Sequence, residues 1–81
     1  MKQVQLLVPK LGMDTTEALV TTWLVAEGDR VEKGVAVVEL ETEKVNFGVE
    51  AEVSGRLLRI VQPAGAVVPV GDVLAILEAE E

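Results

Sequence analysis

The sequence predicts an all-β domain, a small β-sandwich or barrel, from its aliphatic composition, an internal repeat and an alternating hairpin. The 81-residue chain is 49% hydrophobic, yet Trp23 and Phe47 are its only aromatic residues. Its core must therefore consist of Val, Leu, Ile and Ala, and the abundant valine favours strands because β-branched side chains pack well on a pleated sheet. At this length we expect one domain that buries about 60% of the surface of its unfolded chain.

The chain repeats itself with an offset of 37 residues. "WLVAEGDRVEKGVAVVELE" (23–41) aligns with "IVQPAGAVVPVGDVLAILE" (60–78). The aligned pairs include Gly28 with Gly65, Val31 with Val68, Gly34 with Gly71 and Leu40 with Leu77. A repeat within so short a chain indicates two similar halves, each burying its apolar face against the other.

The strands can be placed in chain order. We expect the first near residues 4–8. The next segment, "DTTEALVTTWLVAEG" (14–28), also fits a helix, with Asp14 as N-cap, Glu17 three residues on and Gly28 beyond the end. Its repeat partner, "GRLLRIVQPAG" (55–65), contains Pro63 and has a poorer helical stripe, so both segments are predicted to be strands.

A short strand between two glycine turns follows in each half. "AEGDRVEKG" and "PAGAVVPVG" each carry two glycines six residues apart, and glycine at such places marks turns because a positive φ costs it little. The last strand is expected near residues 73–77, beside the first.

The hairpin around Lys44 has a consistent register when Glu43 and Lys44 form a two-residue turn. This register pairs Val38 with Val49, Glu39 with Gly48, Leu40 with Phe47, Glu41 with Asn46 and Thr42 with Val45. The apolar pairs then point inward and the polar pairs outward, and a slip of one residue would invert them all. Lys44 lies at the apex, in water, where position alone favours an ordinary solubilising charge.

Composition excludes several functions. The net charge of −7 argues against binding nucleic acid or an anionic membrane surface, which require clusters of Lys and Arg. Without Cys, His or Tyr, the usual nucleophile–base pairs cannot be assembled, and no loop gathers the glutamates into a metal site. No apolar run approaches the roughly 20 residues of a membrane span. We expect a soluble, intracellular, non-catalytic domain that acts as a carrier or docking surface.

Over essentially its full length the chain resembles the lipoyl domains of 2-oxo acid dehydrogenase complexes, specifically those of the acyltransferase component. The motifs are "VPKLGM" (8–13), "EGDRVEKG" (27–34), "ELETEKV" (39–45), "VEAEVSG" (49–55) and "GAVVPVGDVLAIL" (65–77). "LGM" looks more like pyruvate or acetoin systems. The departures are Glu43, where many members have Asp, and Ala18, where glycine is common.

The resemblance implies a flattened β-barrel (a barrel-sandwich hybrid) of two four-stranded antiparallel sheets with internal quasi-two-fold symmetry. It implies that Lys44 carries lipoic acid in amide linkage as a swinging arm. Residues 1–78 would form the domain and residues 79–81 the start of an acidic interdomain linker. The isolated domain is expected to be a monomer, in the bacterial cytoplasm rather than the mitochondrial matrix.

The resemblance also implies partners. A lipoate-protein ligase or lipoyl transferase would modify Lys44, recognising Glu41, Glu43 and Val45. A thiamine-dependent decarboxylase component would recognise Lys10, Met13 and Asp14 in the loop 9–16. An acyltransferase core and dihydrolipoyl dehydrogenase would complete the cycle.

Three alternatives share the carrier or hairpin character. Biotinyl carrier domains have this fold by family resemblance, but they typically flank the lysine with methionines, whereas Glu43 and Val45 flank Lys44. The glycine-cleavage H protein also carries lipoate but is longer and has extra helical segments. An unmodified adaptor or efflux-type hairpin domain would need no lysine at the apex.

Overall fold

A computed structural model describes residues 2–10, 12 and 14–80, and these form eight strands. The strands are β1 Lys2–Leu7, β2 Glu17–Trp23, β3 Arg30–Val31, β4 Ala36–Glu41, β5 Asn46–Glu50, β6 Gly55–Ile60, β7 Val67–Pro69 and β8 Val73–Ala79. The second segment is thus a strand and not the alternative helix. The described residues include no helix that is long and apolar enough to cross a membrane. The domain boundary at residue 78 stays a prediction, and β8 extends through Ala79.

The strands form two four-stranded antiparallel sheets, in the orders β1-β8-β6-β3 and β5-β4-β2-β7. The repeat carries β2, β3 and β4 onto β6, β7 and β8, and β1 takes the place in its sheet that β5 takes in the other. The two orders therefore superimpose, which confirms the expected quasi-two-fold symmetry. Because β3 pairs with β6 and β7 pairs with β2, each half completes the sheet of the other.

The buried core follows the same symmetry. Among the described residues, fifteen hydrophobic side chains are buried, and fourteen of them form seven equivalent pairs. The pairs are Leu6 with Val49, Val8 with Ala51, Val20 with Leu57, Val31 with Val68, Val37 with Leu74, Val38 with Ala75 and Leu40 with Leu77. The fifteenth residue, Ala18, has the buried Gly55 as its equivalent. The core is thus aliphatic, as the composition predicts, and both halves contribute to it alike.

Bulges interrupt the strict alternation at equivalent places. Val37 is skipped when β4 pairs with β5, and Leu74 is skipped when β8 pairs with β1. An extra residue lets two consecutive side chains face the same way. Val37 and Val38 are both buried for this reason, and so are Leu74 and Ala75.

Strands β6 and β8 approach each other so closely at Gly55 that only glycine fits there. A Cβ at Gly55 would lie 1.8 Å from the carbonyl oxygen of Glu78, so no larger residue fits without backbone movement. At Gly48 the nearest neighbour is a side chain and not a backbone, because a Cβ there would lie 2.9 Å from the Cβ of Ala36.

The Lys44 turn and the end of β8 lie at opposite ends of the molecule, whose long axis measures 37 Å. Just before β8, Val70 donates its N–H to the Thr16 carbonyl at 2.9 Å, in the segment that leads into β2. Beyond β8, Glu80 donates its N–H to the Ser54 carbonyl, also at 2.9 Å. The Ser54 side chain accepts the N–H of Lys33, just before β4 begins. Strands β4 and β8 therefore run in opposite directions, one toward the turn and one away from it.

Candidate functional site

The hairpin tip, residues 42–45, joins β4 to β5. The pairs Val38–Val49, Glu39–Gly48, Leu40–Phe47 and Glu41–Asn46 form as predicted, and Thr42 donates its N–H to the Val45 carbonyl at 2.8 Å. Val38, Leu40 and Val49 are buried, Phe47 is half-buried, and Glu39, Glu41 and Asn46 are exposed. The burial of the apolar pairs fixes this register, and the register in turn places Lys44 at the apex of the turn.

Thr42 holds the turn together with its side chain. Its hydroxyl oxygen accepts the backbone N–H groups of Lys44 and Val45, at 3.3 and 3.2 Å, and its O–H donates to the Val45 carbonyl at 3.1 Å. Two-residue hairpins usually adopt turns that require a positive φ, but no described residue other than glycine has one. The threonine hydroxyl supplies local bonds of the kind that stabilise turns. This role of Thr42 was not predicted from sequence, although a threonine two residues before the apex is a recognisable signal of it.

Lys44 is exposed and its ammonium group is free of local ion pairs. Among the described residues, no carboxylate oxygen lies within 4.0 Å of its Nζ atom, although Glu41 and Glu43 are close in sequence. The backbone of the tip is thus fixed while the lysine side chain projects into solvent. Such an amine can accept an acyl group from an enzyme that approaches from outside.

The loop groove, lined by Asp14, Thr15, Thr16, Glu17, Thr42, Glu43 and Lys44, lies beside the lysine and has a volume of about 290 Å³. The structure therefore brings Asp14 next to the tip, and its role in recognition stays a prediction. Lys10 is exposed but does not line this groove. The third predicted residue of this loop, Met13, lies outside the described residues.

A second groove at the same end, the acidic groove, has a volume of about 300 Å³. Glu41 and Glu43 line it together with Leu19 and Val67, while Val45 is 55% exposed on the tip itself. Leu19 and Val67 were not predicted to lie at this site, because β7 pairs with β2 across some fifty residues of chain. The 37-residue repeat was the signal that could have indicated that Leu19 and Val67 lie close together.

Both ion pairs of the described residues involve Arg30, at the opposite end of the molecule. Its guanidinium binds the Glu80 carboxylate through two nitrogens, one of them at 3.0 Å, and its Nε donates to Glu32 at 2.8 Å. The hydrogen bonds that Arg30 donates to Glu80, and secondly to Glu32, raise the pKa of Arg30 above its ordinary value. The hydrogen bond from Arg30 holds the pKa of Glu80 below its ordinary value. Among the residues with described positions, no group of three or more side chains could hold a metal ion.

The chain is similar to known proteins in sequence and in fold. Residues 4–77 match the biotin–lipoyl family model, described as "Biotin-requiring enzyme". The chain is 44% identical over its full length to the dihydrolipoyllysine-residue acetyltransferase component of the acetoin cleaving system of Pseudomonas putida. It is 43% identical, over 86% of its length, to the succinyltransferase component of the Staphylococcus saprophyticus 2-oxoglutarate dehydrogenase complex. It is 40% identical, over 96% of its length, to the acetyltransferase component of the Rickettsia bellii pyruvate dehydrogenase complex. The chain spans 23%, 16% and 19% of these three relatives.

Two solved structures resemble the fold. The lipoyl domain of the Azotobacter vinelandii 2-oxoglutarate dehydrogenase complex aligns with a TM-score of 0.75 and 28% identity, over 95% of this chain and 99% of that domain. A single-chain, multi-domain long-chain acyl-CoA carboxylase aligns with a TM-score of 0.81 and 23% identity, over 98% of this chain and 7% of the carboxylase. At that identity, the second likeness concerns the fold alone.

Proposed function

The chain belongs to the biotin–lipoyl family, and from this premise we propose that it is a lipoyl carrier domain whose Lys44 holds lipoic acid through an amide bond. The observation that carries the proposal is the position of Lys44 at the apex of a hairpin whose register is fixed by buried apolar pairs. Its side chain is exposed and forms no ion pair with any described residue. The relatives of the chain are dihydrolipoyllysine acyltransferase components from acetoin, 2-oxoglutarate and pyruvate systems. The proposal concerns the carrier role that these systems share.

The residues of the tip suit this attachment. Lys44 would hold the group through its Nζ atom: an amide C–N bond to the lipoate carboxyl carbon would replace that carbon's bond to an adenylyl leaving group, and the amine would lose a proton. Thr42 keeps the lysine backbone in one conformation during this step, so the modifying enzyme meets a preorganised acceptor. When bound, lipoic acid supplies a dithiolane that accepts acyl groups and electrons, which is chemistry that the side chains of this domain lack.

Three further partners follow from the carrier role. A thiamine-dependent decarboxylase component would load the arm, an acyltransferase core would unload it, and dihydrolipoyl dehydrogenase would reoxidise it. Tethering at Lys44 raises the effective concentration of the arm at each of these sites. Lys44 lies at the end of the domain opposite Glu80, so a chain continuing beyond Glu80 would leave the tip accessible.

Biotin is the less supported group for the same lysine. Glu43 and Val45 flank Lys44, whereas biotinyl domains typically place methionine on both sides. The likeness to the acyl-CoA carboxylase concerns the fold and not the attached group.

Attachment can be tested with purified enzymes. The domain is incubated with ATP, lipoate and a lipoate-protein ligase, and in parallel with biotin and a biotin protein ligase, before intact-mass measurement and peptide sequencing. We expect one lipoyl adduct, on the peptide containing Lys44, and none in Lys44→Arg. Lys2→Arg, Lys10→Arg and Lys33→Arg serve as controls that stay modified. An adduct that persists in Lys44→Arg, or biotin as the faster adduct, would contradict the proposal.

A further inference from the structure

The acidic groove has a two-fold counterpart at the other end of the domain, the arginine groove, with a volume of about 290 Å³. The arginine groove is lined by Arg30, Gly55, Arg56, Glu78 and Glu80. The repeat places these residues at the positions of Val67, Ala18, Leu19, Glu41 and Glu43, all of which line the acidic groove. The strand registers agree as well, because Arg30 pairs with Arg56 as Val67 pairs with Leu19. The two grooves therefore share one backbone framework as far as the ends of β4 and β8. Beyond those ends the backbones differ, because Glu80 donates its N–H to the Ser54 carbonyl, whereas Thr42 turns back and donates its N–H to the Val45 carbonyl.

The side chains that fill this framework differ between the two ends. In the arginine groove, the Arg30 guanidinium lies against the Glu80 carboxylate and binds both of its oxygens. In the acidic groove, the corresponding pair is Val67 and Glu43. Val67 is 59% exposed, and no Lys or Arg of the described residues lies within 4.0 Å of the Glu43 carboxylate. The acidic groove thus keeps the carboxylate of the pair, on Glu43, and lacks the guanidinium.

We propose that the enzyme that attaches lipoate inserts an arginine side chain into the acidic groove, over Val67, and binds Glu43 as Arg30 binds Glu80. This inference rests on the proposed function of Lys44. Arginine fits better than lysine because its planar guanidinium can donate two parallel hydrogen bonds to one carboxylate, the arrangement that the arginine groove displays. The exposed face of Val67 would pack against the methylene groups of the incoming side chain.

The attaching enzyme is the partner that must cover this surface. It works at the Nζ atom of Lys44, and Glu43 is the preceding residue of the same turn. The decarboxylase is expected to contact the tip from the side of Asp14, in the loop groove, whereas only the attaching enzyme must reach the Nζ atom itself. A contact at Glu43 is therefore expected to affect the attachment step before any other.

The inference can be tested by a substitution that places an arginine of the domain itself in the acidic groove. Val67→Arg places a guanidinium where the repeat places Arg30, so it should pair with Glu43 and compete with the arginine of the enzyme. We expect the kcat/KM of lipoylation to fall about tenfold or more, mainly through KM, as for the loss of a charged hydrogen bond. Glu43→Gln should cause a similar loss. The double variant should lose no more than either single one, because both changes remove the same contact.

Two controls separate recognition from structure. Arg30→Val makes the reverse change in the arginine groove and should be lipoylated at the native rate. Acylation of Lys44 by a small activated ester should be equally fast in native protein and in Val67→Arg, because it requires no docking. Native kcat/KM in Val67→Arg, or additive losses in the double variant, would overturn the inference and leave the carrier role intact. Failure of the native chain to accept lipoate would overturn both.

Discussion

The Thr42 side chain bonds to both backbone polar groups of Val45, accepting its N–H at 3.2 Å and donating to its carbonyl at 3.1 Å. These bonds span the turn that carries Lys44. Thr42→Val keeps the shape of the side chain and removes these two bonds together with the one that the hydroxyl accepts from the Lys44 N–H. We therefore expect the free energy of unfolding in urea to fall by about 1 kcal/mol.

The same substitution should slow lipoylation by more than its effect on stability explains, since a mobile tip presents Lys44 in several conformations. Thr42→Ser keeps the hydroxyl and is the matched control. Equal labelling rates in Thr42→Val and Thr42→Ser would show that the hydroxyl does not position the lysine.

Asp14 and Lys10 were both predicted to help the decarboxylase recognise the domain, but only Asp14 lines the loop groove beside Lys44. We therefore expect Asp14→Asn to lower the rate of reductive acylation of the lipoylated domain more than Lys10→Met does. Stopped-flow or mass-spectrometric measurement of acylation by the decarboxylase of the same organism provides the comparison. A larger effect at Lys10 would place the recognition surface elsewhere on the loop.

Gly55 and Ala18 occupy equivalent positions, but only Ala18 has room for a Cβ. In Gly55→Ala the new Cβ would meet the Glu78 carbonyl, so β6 must move away from β8. We expect a loss of about 3 kcal/mol or more in unfolding free energy, in the upper range for overpacking. Ala18→Gly, the reverse change in the other half, should cost only about 1 kcal/mol. Chemical denaturation of the two variants gives both values, and equal losses would contradict the asymmetry.

Acid should release the ion pair between Arg30 and Glu80. The pKa of Glu80 is lowered by its bond to Arg30, so the pair stabilises the folded state above the unfolded-state pKa of Glu80. That contribution is lost as the pH falls through the lower, folded-state pKa. An NMR titration should show Glu80 titrating below an ordinary glutamate in the native protein and closer to one in Arg30→Met. Identical titration curves would mean that the pair does not form in solution.

Much of the hairpin could be predicted from sequence because one face is buried. Alternation from Val38 to Val49 leaves a single register that hides the apolar residues, and the structure confirms it. The strand character of Glu17–Trp23 followed from the repeat, since local helix signals alone were ambiguous. In both cases a long-range constraint, burial or symmetry, decided what local propensity did not.

Other features could not be predicted, since they depend on tertiary pairing. The bulges at Val37 and Leu74 break the period of two that strand prediction uses. Arg30 and Glu80 meet across fifty residues of chain, and nothing local to either residue indicates the pair. The grooves around Lys44 likewise combine residues from separate strands, so the sequence revealed the lysine but not the surface that surrounds it.

The exchange of strands between the two halves has a kinetic consequence. Only β4 and β5 are joined by a short turn, and every other strand pair of the described sheets must close a loop of a dozen residues or more. Topologies dominated by such distant pairings fold slowly for their size, typically in milliseconds to seconds. The Lys44 hairpin is the one element whose own contacts require no long loop to close. The conformation that a modifying enzyme must recognise is thus specified locally, while its persistence depends on the slow assembly of the remaining strands around it.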